Sequence, residues 1–168
     1  VVDSADIPLN ISRETMQDSA LIRKLGSVIA KRVIRMFEKE AESEPEKYRS
    51  FYRKFDRFFK EGVATDHANR DALAKLLRFE SSLTEAGSVC GFTDYVSRMK
   101  EGQESIYYLV GPSREQIESS PYLEAFKSRG LEVIFFMDAV DEYVVDSLGE
   151  FDGKKLVSVR HGGVELED

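Results

Sequence analysis

The sequence predicts an α/β protein: a helical coil followed by a small three-layer α/β/α unit on a short, mainly parallel sheet. Three observations carry that prediction. Apolar residues from Leu21 to Leu77 recur mostly at spacings of three and four, the period of a helix face. Beyond residue 91 the pattern changes to β-rich runs alternating with helical ones. The segment Leu131-Glu132-Val133-Ile134-Phe135-Phe136-Met137 is almost continuously apolar, as expected for a central parallel strand covered on both faces.

The elements follow in order. Pro8 biases Ile7 towards an extended backbone, and Ile7, Leu9 and Ile11 alternate with Pro8, Asn10 and Ser12. From about Asp18, Leu21, Ile22, Leu25, Val28, Ile29, Val33, Met36 and Phe37 form one wide apolar helix face. Glu44-Pro45 interrupts it, because proline cannot continue a helix but suits the first turn of the next. Tyr48, Phe51, Tyr52, Phe55, Phe58 and Phe59 make an aromatic stripe, read either as a core seam or as a peptide-binding groove. Gly62 is a natural helix stop, and a third helix is expected from near Asp66 with Leu73, Leu76 and Leu77 on one side.

Residues 81–91, SSLTEAGSVCG, have the composition of a connection. Phe92, Tyr95, Val96 and Met99 fit a short helix with Thr93 as its cap. Ile106–Val110 is a β-rich run ended by Gly111-Pro112, and Ser113–Gln116 has the spacing of a capping box. Ser120-Pro121 restarts that helix and Gly130 ends it. A further helix is expected from Val140 to Leu148 and a last strand from Lys155 to Val159. The organisation predicted is therefore 1–18 as an extended segment, 19–80 as the coil, 81–91 as a connection, 92–160 as the α/β/α subdomain and 161–168 as an acidic tail or linker.

Hydrophobic residues make up 42% and charged residues 33% of the 168, which describes a folded chain with a core and a charged surface. The net charge of −7 leaves no surplus of Lys and Arg to displace phosphate counterions, so nucleic acid is not expected as a partner. The basic run KRVIR at 31–35 reads as a solvated helix stripe. Cys90 is the only cysteine, so no disulfide framework exists, and His67 and His161 are too distant to suggest zinc. No run approaches the ~20 apolar residues of a membrane span. The chain opens on Val-Val-Asp and closes on GGVELED, and both ends read as cuts in a longer protein.

The candidate site is the stretch VVDSADIPLNISRETMQ at 1–17. With Ser12 as the helix cap, Arg13 is the first helical residue, where the dipole disfavours a cation unless an anion lies between them. Free amides and a guanidinium at one helix start suit a phosphate. Gln17 lies one turn on, and Asn10 is a third polar candidate. The alternative is an ordinary ion pair of Arg13 with Asp3, Asp6, Glu14 or Asp18. Neither GxxxxGK[ST] nor GxGxxG is present and no Ser/His/Asp set can be assembled, so the chain is expected to contribute to a nucleotide site only in part.

VVDSADIPLNISRE at 1–14, NRDALAKLLRFESS at 69–82, TDYVSRMKEGQESIYYL at 93–109, DEY at 141–143 and EFDGKKLVSV at 150–159 together resemble the heat-shock protein 90 chaperones, in family order. SALIRKL at 19–25 is most similar to the mitochondrial paralogue, and VSRMKEGQE at 96–104 to the bacterial high-temperature protein G. The resemblance implies the later part of a middle domain, with residues 1–18 as the catalytic-loop end of its larger α/β unit. It matches Arg13 to the catalytic-loop arginine that reaches the ATP γ-phosphate, with Asn10 and Gln17 as its polar neighbours. Thr15 and Met16 stand where the family usually has apolar residues. Further implications are ATP with Mg²⁺ bound by a separate N-terminal domain, client proteins and co-chaperones as partners, and a full-length homodimer. The isolated chain is expected to be inactive and monomeric. The compartment implied is the mitochondrial matrix in a eukaryote or the cytoplasm in a bacterium, with no membrane partner.

Overall fold

The computed structural model describes residues 20–160. Helices α1 (Ala20–Ser43) and α2 (Pro45–Thr65) form the coil. Glu44 joins them: its amide donates to Glu40 O (2.9 Å) and its carbonyl accepts from the Tyr48 amide (2.9 Å). Pro45 opens α2, where its missing N–H leaves no helical bond unmade. The stop expected at Gly62 does not occur, since α2 runs on to Thr65. Gly62 serves packing: a Cβ there would lie 3.0 Å from Leu73 Cδ1 on α3 (Arg70–Ala74). That third helix starts later than expected because Asp66 accepts the amides of Ala68 and Asn69, which makes a turn of the intervening residues.

The rest of the described chain is a five-stranded sheet with helices on both faces. Its strands are β1 (Glu80–Ser81), β2 (Ser105–Val110), β3 (Val133–Phe136), β4 (Glu150–Phe151) and β5 (Lys154–Ser158), in the order β1-β3-β2-β5-β4. The three inner strands are parallel, with Tyr107 beside Val133 on one side and beside Val157 on the other. Both outer strands are antiparallel, which corrects the reading of residues 81–91 as connection alone. β1 pairs Glu80 with Phe135, and Phe79 bridges Cys90. Strand β4 returns into β5 through Asp152-Gly153, both at positive φ (52° and 73°), the backbone that a two-residue hairpin turn requires.

Helices α4 (Phe92–Arg98), α5 (Arg114–Glu118), α6 (Pro121–Ser128) and α7 (Val140–Leu148) complete the unit. The cap of α4 is Gly91, with the Asp94 carboxylate accepting the Gly91 amide (2.8 Å), so Thr93 lies inside the helix. Ser113 caps α5 as the sequence indicated, its hydroxyl accepting from the Gln116 amide (3.3 Å). Along β3 the side chains divide between two cores: Val133 and Phe135 pack with Ile117, Leu123 and Phe126, whereas Ile134 and Phe136 pack with the coil and α7. All four β3 residues are buried, as a strand covered on both faces must be.

Candidate functional site

Asn10, Arg13 and Gln17 lie outside the described residues. What the structure places in detail is the junction where the coil meets the sheet. There Lys60 on α2 faces three carboxylates: Asp141 Oδ1 at 2.8 Å, Asp138 Oδ2 at 3.5 Å and Asp56 Oδ2 at 3.6 Å. Lys60 is 9% and Asp141 3% exposed. Asp141 Oδ2 also accepts the Asp138 amide (3.0 Å), which anchors the start of α7. Burial disfavours the Lys60 ammonium, but Asp141, Asp138 and Asp56 outweigh it and hold the group above its ordinary range. Burial works against ionised Asp141 too, and Lys60 opposes it. With an ammonium at 2.8 Å and a backbone donor on its other oxygen, the charged form of Asp141 is the one this geometry supports.

A cavity of about 350 Å³ opens beside this cluster, between α2 and the end of β3. Tyr52, Phe79, Phe136 and Val144 give it an apolar floor, and Asp56, Lys60, Asp138 and Asp141 line one part of it. Arg53 and Arg78 also line it, but they bond backbone: Arg53 Nη2 donates to Gly87 O (2.6 Å), and Arg78 Nη1 to Leu77 O (2.8 Å) and Lys75 O (3.0 Å).

A second buried network ties α4 to β3. Glu132, 6% exposed, receives Arg98 through both oxygens, Nε to Oε2 at 3.0 Å and Nη2 to Oε1 at 2.8 Å. The Ser81 hydroxyl donates to the same Oε1 (2.6 Å). Hydrogen bonding to Glu132 holds the Arg98 guanidinium above its usual range. The buried Tyr95 hydroxyl donates to Glu132 O (2.7 Å) and accepts from the Tyr107 amide (3.0 Å) and Gln103 Nε2 (3.1 Å). These contacts fix three elements about one side chain.

The other residues raised by the sequence divide clearly. Cys90 is buried, and burial pushes its thiol up, the wrong direction for a nucleophile. The aromatic stripe is mixed: Tyr48, Tyr52 and Phe59 are core, whereas Phe55 and Phe58 are exposed, Phe58 to 70%. The charges of 31–35 are solvated and only Ile34 is buried there. Asp141 belongs to the junction cluster, while Tyr143 projects outward at 70% exposure. Sequence reasoning missed Lys60 and Glu132 as buried groups, and Arg98 as the more exposed partner of Glu132. The one available signal was Lys60 falling beside Phe59 on the buried face shared by Tyr52 and Val63.

A family model described as Hsp90 protein matches residues 1–168. The chain belongs to the Hsp90 family. Among its relatives, the chaperone protein HtpG of Desulfitobacterium hafniense (strain Y51) is 52% identical over 168 residues, 100% of this chain. HtpG of Cronobacter sakazakii (strain ATCC BAA-894) is 48% identical and HtpG of Salmonella typhi 46%, each across 99% of this chain. This Hsp90-family chain spans 27% of the length of each of those relatives. The match supports the bacterial branch of the resemblance over the mitochondrial one.

Proposed function

We propose that this chain is the later part of the middle domain of an ATP-dependent Hsp90-family chaperone, and that it supplies Arg13 to ATP held by a separate N-terminal domain. One observation carries the reading: identity of 46–52% to proteins named as chaperones extends over the whole chain, including the stretch that contains Arg13. In that role the guanidinium donates to γ-phosphate oxygens and stabilises charge as the transition state forms, with Asn10 and Gln17 as polar neighbours. Adenine recognition and the Mg²⁺ ligands belong to the separate domain. The described residues contain no group of three or more His, Cys, Asp or Glu able to hold a metal ion.

Client polypeptides are the proposed partners, with co-chaperones and a second copy of the full-length chain. The proposed compartment is the bacterial cytoplasm. No helix among the described residues is long and apolar enough to cross a membrane. A second reading, a non-catalytic scaffold docking clients or co-chaperones, is favoured by the exposed apolar side chains Val28, Met36 and Phe58 on the coil. Two assays on the full-length protein separate the readings: ATP turnover, and suppression of client aggregation with and without ATP. Turnover together with ATP-dependent protection supports the first. Protection that is indifferent to ATP leaves only the scaffold.

A further inference from the structure

The sheet carries two cores of unequal size. Among the described residues, nineteen buried side chains form the core shared with the coil, α4 and α7, and seven form the core under α5 and α6. Helices α5 and α6 contribute Ile117, Leu123 and Phe126 to the smaller core, while Leu109, Val133, Phe135 and Val159 come from the sheet and its end. At five and eight residues, neither helix is long enough to persist without that packing. The layer also has a glycine at each end. The Gly111 amide donates to Phe136 O (3.0 Å), where the ladder of β2 and β3 stops, and Gly130 turns the chain back with a φ of 65°.

Two cations tie this layer to its surroundings. At the start of α5, Arg114 Nη1 donates to Glu80 Oε2 on β1 (2.6 Å) and Nη2 to Thr84 O (2.7 Å), and the guanidinium lies over the Phe135 ring at 5.2 Å. The side chains of Arg114 and Glu80 are 18% and 14% exposed, so water screens this pair little. At the far end, Lys100 Nζ donates to Arg129 O just beyond α6.

We propose that α5 and α6 form a lid that opens as one unit, with Arg114 as its latch, and uncovers an apolar strip of Tyr107, Leu109, Val133 and Phe135. Opening breaks the edge-to-face contact of Phe126 with Tyr107 (4.9 Å) and withdraws Ile117 and Leu123 from the sheet. Strand β2 keeps its pairing with β3 and β5, because those backbone bonds run between strands and not through the lid. The larger core on the opposite face stays packed. Opening therefore lies below global unfolding in free energy, as a local cooperative unit does.

The test is hydrogen–deuterium exchange of the full-length protein, read by mass spectrometry on peptides from α5, α6, α2 and β3. The α5 and α6 amides are expected to exchange together, about a hundredfold or more faster than those of α2 and β3, and with a weaker dependence on urea. Arg114→Met keeps the aliphatic stem and removes the latch. It is expected to speed α5 and α6 by a further tenfold or so and to leave α2 and β3 unchanged. Lys100→Met, at the opposite end, is expected to act on the same peptides, so the outcome does not hang on one variant. Exchange of α5 and α6 at the rate and urea dependence of α2 overturns the lid, as does exchange of the two helices at unrelated rates. Exchange that Arg114→Met leaves unaltered, or raises equally in all four peptides, overturns the latch.

Discussion

Lys60 on α2 and Asp141 on α7 meet at 2.8 Å with both side chains almost wholly buried, and they join the coil to the sheet unit through one charged contact. Removing one partner strands the other charge away from water. Lys60→Met is therefore expected to destabilise the fold by about 3–5 kcal/mol. Lys60→Met/Asp141→Asn, which removes both charges and keeps an acceptor for the Asp138 amide, is expected to cost clearly less. Urea titration of the four corners of this double-mutant cycle measures the coupling, and additive losses would show that the pair is not a unit.

Glu132 is the second such anchor, because Arg98, Ser81 and Tyr95 all converge on it. Glu132→Gln keeps the shape but leaves Arg98 without its charged partner. Arg98 is part-exposed and can be solvated, so the expected loss is about 1–2 kcal/mol, read as a lower urea midpoint with unchanged slope. Arg98→Lys should recover little of the wild-type stability, since a lysine cannot reach both carboxylate oxygens as the guanidinium does.

Alkaline pH should unfold the protein through its tyrosines. Burial pushes Tyr48 and Tyr95 up to about 12, and Tyr52 is raised by the same cause. Because the folded values lie above the unfolded ones, this stability is fully present below pH 10 and is lost as pH rises through about 12. Each two-unit shift corresponds to about 2–3 kcal/mol. Lys60, also raised, loses its ammonium in the same direction. Tyrosinate absorbance of these three should appear together with loss of helix by circular dichroism. Their ionisation while the helical signal persists would contradict the assignment.

What could be read from the sequence was what local periodicity controls. Val140–Leu148 is a helix as expected, because Val144, Val145 and Leu148 fall on one face, and β3 was visible as an apolar run. Strand β1 was not legible, since Glu80 and Ser81 become a strand only by pairing with Phe135 and Ile134 far along the chain. Strand β4 was missed although Phe151-Asp152-Gly153-Lys154 carries the Asp-Gly hairpin signal. Gly62 was misread because its role lies in the approach of Leu73 and not in its own backbone. Buried charges such as Lys60 and Glu132 resemble surface residues until their partners are placed. Arg13, Asn10 and Gln17 were reached by helix-start electrostatics and by resemblance, and they lie beyond the described residues.

The most direct test of the account is steady-state ATP hydrolysis by the full-length protein with and without Arg13→Ala, alongside nucleotide affinity. The expected result is a rate reduced tenfold or more, ~1.4 kcal/mol of transition-state stabilisation, with affinity little changed. An unchanged rate would contradict the assignment of Arg13 to the γ-phosphate and leave this segment with structural and docking roles alone.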